Sequence, residues 1–222
     1  MSFQKKNIPL DLVTALASSR DWHETMGKIG KPLFLAYETY RGIDFSKEFF
    51  TEATLQEADL SESCLQEVDA VRALANGIRL NDAVLHSSNW TKAEMEEAEV
   101  SRVQAHHAIF AKAMLRNALF RKADLTKSDF SQAICIGADF SGACLSESNF
   151  SKAILDDVNF QGADLSGAIF DGCHLSKNTK ISNAYGIKKI KCTYAFLSGE
   201  RLDGIDAKLY LEGDLNIENQ FK

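Results

Sequence analysis

No stretch of the 222 residues approaches the roughly 18 consecutive apolar positions that a membrane-spanning helix needs. The opening MSFQKKNIPLDLVTALASSRDW meets Arg20 and Asp21 before any apolar run long enough for the centre of a secretory leader. The expectation is a cytoplasmic protein without membrane contact; a secreted effector delivered without a cleaved leader is the alternative. Cysteine is sparse and odd in number, at Cys64, Cys135, Cys144, Cys173 and Cys192, and no two form a CxxC pair. That excludes a disulfide framework or a zinc knuckle as an organising device and suits reduced thiols. Basic charge is also short. The formal net charge is −6 and the sequence pI about 5.4, which argues against direct binding to nucleic acid. No P-loop, GxGxxG, HExxH or GxSxG motif is present. The reading is therefore a protein that is not an enzyme, with no catalytic residues and no cofactor.

What the chain has instead is a period of five. From Phe45, every fifth residue through Phe50, Leu55, Leu60 and onward to Phe170 and Leu175 is apolar, 27 positions without an insertion or deletion. Two residues before each of these centres lies a second column, filled from Ala53 to Ala168 only by Ala, Ser, Val or Ile. The residue between the two columns is mostly polar, as in Ala58-Asp59-Leu60 or Ala163-Asp164-Leu165, and the two residues after the centre are turn formers such as Ser141-Gly142.

Neither regular element keeps such a period buried. Five residues of α-helix turn through about 500°, so each centre would point in a new direction. In a continuous strand five is odd, and successive centres would alternate faces. A chain that bends after every short extended piece satisfies the pattern, because the two inward residues of each piece are then two apart, the strand period.

The run ADFSGACLSESNFSKAILDDVNFQGADLSGAIF resembles the pentapeptide-repeat proteins and their A(D/N)LXX unit. The resemblance covers roughly three-fifths of the chain and implies an all-β solenoid, a right-handed quadrilateral β-helix of about seven coils. Four units per coil would return each face at every fourth centre. Phe110, Phe130, Phe150 and Phe170 would then stack on one face, and Phe120, Phe140 and Phe160 on the opposite one. The expected division is residues 1–42 as an N-terminal helical cap, 43–180 as the repeat β-helix and 181–222 as a C-terminal cap. A helix is expected over 9–28, ended by Gly27, Gly30 and Pro32. Beyond Leu175 the strict step fails at Lys180, after which Ile187–Ser198 reads as strand and Gly204–Leu211 as helix. In some family members the C-terminal cap makes a two-fold dimer, so the resemblance raises a homodimer through residues 181–222.

His86 and His106 occupy equivalent positions one coil apart, with His107 adjacent. Two or three stacked histidines suit a metal, but no third ligand is in evidence, and turn residues are the better reading, with no metal site. Charge is more informative. Residues 44–180 hold 21 acidic against 13 basic side chains. The acids concentrate at Glu94, Glu96, Glu97 and Glu99 and again at Asp156 and Asp157. A basic band runs through Arg102, Lys112, Arg116, Arg121, Lys122 and Lys127. These residues are the candidate interaction surface of a protein-binding scaffold, its partner unknown. The resemblance supplies one alternative: acidic Qnr-like members mimic DNA, bind gyrase or topoisomerase IV and protect it from quinolones.

Overall fold

Each five-residue unit has five backbone N–H groups to satisfy, and the chain's path follows from where they go. In the unit Asp139–Ala143, the Asp139 N–H donates to Ala118 of the preceding coil (2.9 Å). Those of Phe140 and Gly142 donate to Asn159 and Gln161 of the following coil (2.8 and 2.9 Å), and that of Ala143 closes a turn onto the Phe140 carbonyl (3.0 Å). The fifth, on Ser141, lies on the outside of the bend and is taken by the Asp139 carboxylate (2.9 Å). The small Asp or Asn at the strand position of the unit is thus a cap for the one amide that the ladder leaves over.

These contacts, in a computed structural model that describes residues 8–203, 206, 207 and 210, generate a four-sided coil. Isolated parallel bridges join each strand position to the one four units later, from Phe34↔Thr54 to Asn149↔Ile169. Face I is centred on Leu35, Leu55, Ala75, Met95, Leu115, Cys135, Leu155 and Leu175. Face II runs through Leu60, Phe120 and Phe160, face III through Phe45, Leu125 and Leu165, and face IV through Phe50, Trp90 and Phe170. The second residue of each turn sits at the corner with φ positive, from 53° at Glu57 to 74° at Gly167. A turn of this kind requires that conformation. Glycine meets it at Gly142 and Gly162, but Lys, Glu, Arg and Asp meet it at most corners.

Inside, the centre and Ala columns are buried from Phe45 to Leu175. Phe110, Phe130 and Phe150 stack at 5.0 and 4.9 Å, and Phe120 and Phe140 at 5.0 Å. The two ladders meet edge-to-face, as at Phe130–Phe140 (5.4 Å). The polar intruders are satisfied. Ser88, Ser128 and Ser148 donate to carbonyls three residues back, and Trp90 Nε1 donates to Ser88 Oγ (3.0 Å).

An α-helix, α1 (Leu10–Glu24), lies across the N-terminal end and buries Leu12 and Leu16 against the first coils. Ser19 Oγ donates to the Phe49 carbonyl, Arg20 pairs with Glu48 (2.7 Å) and His23 stacks on Phe49 (3.9 Å), so the open ladder edge is covered. The helix stops four residues short of the expected Lys28. Met26 adopts φ +53°, its N–H donates to His23 and that of Gly27 to Trp22, a left-handed C-terminal cap. Gly30, at φ +79°, presses on the helix so closely that a Cβ there would fall 2.1 Å from the Ser18 carbonyl oxygen.

At the other end the regular offset of one coil stretches. Asn159 bridges Lys180 and Asp164 bridges Tyr185, each one position late, and Ile169 bridges Lys191, two positions late. The ladder therefore continues past the point where the five-residue step is lost. Strand β1 (Ile154–Leu155) pairs with β2 (His174–Leu175). That strand pairs in parallel with β3 (Tyr194–Leu197), which turns back antiparallel into β4 (Glu200–Asp203). Ile187–Lys189, within the expected strand, is a 3₁₀ turn. Of the helix expected at 204–211, only Asp206, Ala207 and Tyr210 are described, all helical; the rest lies outside the described residues.

Candidate interaction surface

Because the chain circles the rod once in every four units, neighbours in sequence disperse and every twentieth residue aligns. The basic band shows this. Arg102 and Lys122 share the corner between faces II and III, Arg121 lies on face II, Arg116 on face I, Lys112 at the corner between IV and I, and Lys127 at the corner between III and IV. Four of the six are paired: Arg102 with Asp82 (2.6 Å), Arg121 with Asp139 (2.6 Å), Arg116 with Glu96 (3.5 Å) and Lys127 with Glu147 (3.9 Å). Such exposed pairs contribute about 0–1 kcal/mol each.

The acidic residues are brought together more than their numbers suggest. Glu94 stands at the strand position of face I, Glu96 just after its centre, Glu97 at the corner and Glu99 beyond it on face II, where it accepts from Asn81 Nδ2 (2.9 Å). Glu96, Glu97 and Glu99, with Glu57, rim an open hollow of about 470 Å³ around Gly77, whose lining also includes Arg79. Asp156 and Asp157 fall in the same two columns as Glu96 and Glu97, three coil steps away, roughly 14 Å at the usual strand spacing. Arg116 and Ile136 stand between them in one column, Asn117 and Gly137 in the other. Ser176 Oγ donates to Asp157 (2.7 Å) and holds its carboxyl below the ordinary range.

On face III, His86 and His106 stack with ring centroids 4.9 Å apart. His86 Nδ1 accepts the backbone N–H of His106 (3.2 Å), and His106 Nε2 lies 2.6 Å from Asp124. Burial and then the adjacent His106 depress the His86 pKa. Among the described residues no group of three or more His, Cys, Asp or Glu is arranged to hold a metal ion, and no helix is long and apolar enough to cross a membrane.

A stride of five does not display one column, and a stride of twenty does. At the strand position of face I stand Phe34, Thr54, Leu74, Glu94, Met114, Ile134, Ile154, His174 and Phe196. Six of these nine are apolar, with Leu74 and Met114 exposed at 37% and 36%. The other three faces carry ten Asp or Asn at the equivalent position, and all ten cap the next turn: Asp59, Asp139 and Asn159 on face II; Asp44, Asp124 and Asp164 on face III; Asp69, Asn89, Asp129 and Asn149 on face IV. Face I has none.

A four-sided parallel solenoid with a filled interior and chemistry confined to its outside is a presenting surface by construction. The pentapeptide-repeat pattern matches in eight copies, over residues 41–69, 101–134 and 133–172. The chain is a pentapeptide-repeat protein, of the family whose members form right-handed quadrilateral β-helices. Among solved structures it is similar to a trypsin-treated form of QnrB1, a plasmid-mediated fluoroquinolone resistance protein, at 17% identity and a TM-score of 0.53, covering 81% of this chain and 90% of that one. HetL of Nostoc sp. strain PCC 7120, involved in heterocyst differentiation regulation, matches at 21% identity over 75% of this chain and 90% of its own, but with a TM-score of 0.34 it superposes loosely. No curated protein matches by sequence.

Proposed function

We propose that the protein is a non-enzymatic scaffold, a rod of about seven coils working in the cytoplasm, that binds a protein partner through face I. The observation that carries this is the broken capping rule. On each of three faces the strand position serves the fold at three or four levels, ten in all, by supplying the acceptor that the turn amide lacks. On face I that service is given up along the whole length of the rod, and apolar side chains stand in water instead. Face I alone lacks Asp and Asn at every strand position. Where its turn amides are capped the acceptor comes from elsewhere, as when the Glu96 N–H donates to Asn76 Oδ1 (2.8 Å) and that of Ser176 to Thr179 Oγ (3.2 Å). A face whose strand position is released from capping and filled with apolar side chains marks a surface kept for another purpose. The test is affinity capture with wild-type protein, Ile134→Asp on face I and Gln104→Asp on face III. Loss of a stoichiometric partner with the first variant and retention with the second is expected. A partner held equally by both variants would remove face I from the account.

A second reading, a DNA mimic that binds gyrase or topoisomerase IV and dimerises through the C-terminal cap, draws on the acidic excess of the rod and on QnrB1 as a resistance protein. It ranks second because seven of the rod's aspartates are the turn caps of faces II to IV, placed by backbone need, and because Arg116 and Ile136 interrupt the acidic column of face I. A supercoiling assay with gyrase and ciprofloxacin decides it. Rescue or inhibition supports mimicry, and indifference across a wide range of protein concentration removes it.

A further inference from the structure

Face I has unlike borders. Each carries an acid toward its N-terminal end, Glu52 at the corner between faces IV and I and Glu57 at that between I and II. Beyond these the first corner carries Arg72, Lys92, Lys112, Gln132 and Lys152, and the second Gly77, Glu97, Asn117, Gly137 and Asp157. Among the described residues Arg72 is paired with Glu52 (2.9 Å), whereas Lys92, Lys112 and Lys152 have no carboxylate within ion-pair distance. An apolar strip thus lies between a cationic edge and an edge carrying Glu97 and Asp157.

We propose that face I is a self-association surface on which a second copy of this chain packs with its rod parallel to the first, about a two-fold axis running along the rods. The proposal rests on the reading of face I as a binding surface and names its occupant. Charge and register select the arrangement. A two-fold axis along the rod lays the cationic edge of one copy on the acidic edge of the other at the same height. In every coil the two corner residues are five apart, so Lys92 meets Glu97 of the second copy and Lys152 meets Asp157, with Lys112 against Asn117 between them. The same operation exchanges the columns on either side of the face centre. It sets Ile134 against Ile136 of the second copy, and also Glu94 against Glu96, a like-charge contact that the guanidinium of Arg116 one coil away offsets in part. Arg116, 3.5 Å from Glu96 in its own chain, faces Met114 and stands one coil from Glu94 of the second copy. An antiparallel arrangement puts lysine edge on lysine edge and carries like-charge repulsion.

The strand column from Phe34 to Phe196 spans eight steps, about 38 Å long by roughly 10 Å wide at ordinary strand spacings, below the ~800 Å² per partner of a standard interface. The association is therefore reversible and set by concentration.

The test is sedimentation velocity of the full chain from about 1 to 500 µM, concentrations chosen to bracket micromolar affinity. It uses wild type, Ile134→Asp, Lys152→Glu, Asp157→Lys and an equimolar mixture of the last two. All three positions are on the surface, and lysine is already accommodated at corners such as Lys92 (φ 60°) and Lys112 (φ 60°), so unchanged circular dichroism is expected. Asp157→Lys also loses the acceptor of Ser176 Oγ, so its Tm should fall slightly, and Lys152→Glu, which touches no such bond, is the variant that isolates the charge effect. The wild-type mass should rise from 24.6 kDa toward twice that value. Each single variant should stay monomeric, and the mixture should recover the wild-type mass, because each opposed pair is then one Glu–Lys and one Lys–Asp. A wild type that is monomeric throughout overturns the proposal, as does association that survives Ile134→Asp or a mixture that gains nothing. Monomeric wild type together with partner capture that still fails in Ile134→Asp removes the second copy alone and leaves the scaffold reading standing.

Discussion

The cap at Asp139 allows a test of what Asp or Asn contributes where it stands at the second position of the repeat. Its Oδ1 accepts from the Ser141 N–H (2.9 Å) and from Asn159 Nδ2 (3.1 Å), and its Oδ2 from Arg121 (2.6 Å). Asp139→Asn keeps an oxygen in the Oδ1 place and loses only the ion pair with Arg121, whose side chain is 54% exposed. At the exposed-pair value the cost is about 0–1 kcal/mol. Asp139→Ala removes the acceptor and leaves the Ser141 amide unpaired at the bend, which adds about 1–3 kcal/mol for a hydrogen bond to a charged acceptor. For a chain of this size about 2 kcal/mol corresponds to roughly 4–8 °C in Tm. The assay is thermal and urea unfolding followed by circular dichroism, with the m-value checked so that midpoints can be compared. Alanine should fall well below asparagine, and asparagine should lie close to wild type. Equal losses would mean that the carboxylate's charge, and not its acceptor geometry, carries the effect, and the account of the repeat's second position would fail.

Phe140→Leu keeps most of the apolar volume but removes two stacked and two edge-to-face ring contacts. At about 0.5–1.5 kcal/mol per aromatic pair, and with partial additivity, it should cost roughly 1–3 kcal/mol more than Phe45→Leu, which removes the single contact with Phe50; urea midpoints that coincide would refute a separate role for the ladders. Gly30→Ala drives a methyl group into the Ser18 carbonyl at positive φ, so hydrogen-exchange protection of α1 should be lost while the middle coils keep theirs. For Asp59, Asp124, Asp139 and Asp164, burial pushes the carboxyl upward, but hydrogen bonds and neighbouring cations outweigh it and leave the folded pKa below 3.8. A depressed folded value stabilises above the unfolded pKa and is lost as pH falls through the folded one, so the carboxylates' share of Tm should be flat above about pH 5 and drop below pH 4, with a shallower drop in Asp139→Asn. This comes on top of the earlier decline that the depressed His86 adds as pH falls below its ordinary value.

The interior was legible because it is dictated by a single stride. A residue type that is apolar at 27 consecutive fifth positions can only face inward, and the Phe ladders follow from the same column. The corners were not legible in that way. Turn chemistry would look for glycine at positive φ, yet Lys92, Glu97, Arg102 and Lys112 sit there, held by ladder bonds on both sides. Met26 likewise carries no signal of the left-handed cap that ends α1. The stretched offsets at Lys180 and Lys191 were hidden because the extra residues are accommodated at polar bends. There Thr179 Oγ donates to the Leu155 carbonyl (2.9 Å), so that a side chain substitutes for part of the ladder. Of the candidate surface, the acidic residues were visible as clusters, but their alignment in two columns with Asp156 and Asp157 was not. The apolar column of face I becomes visible only when residues are read twenty at a time.

The ladder bonds all point along the rod, and this orientation gives the molecule a mechanical grain. A pull on its two ends loads the four ladders of one coil side by side and the successive coils in series, so the rod is as strong as its weakest joint. That joint is where Asp157 has no backbone carbonyl to reach and donates its N–H to Ser176 Oγ (2.9 Å), beside the stretched bridges to Lys180, Tyr185 and Lys191. Under tension the terminal coil should peel away first as a single unit and leave the regular coils, with both Phe ladders, closed behind it.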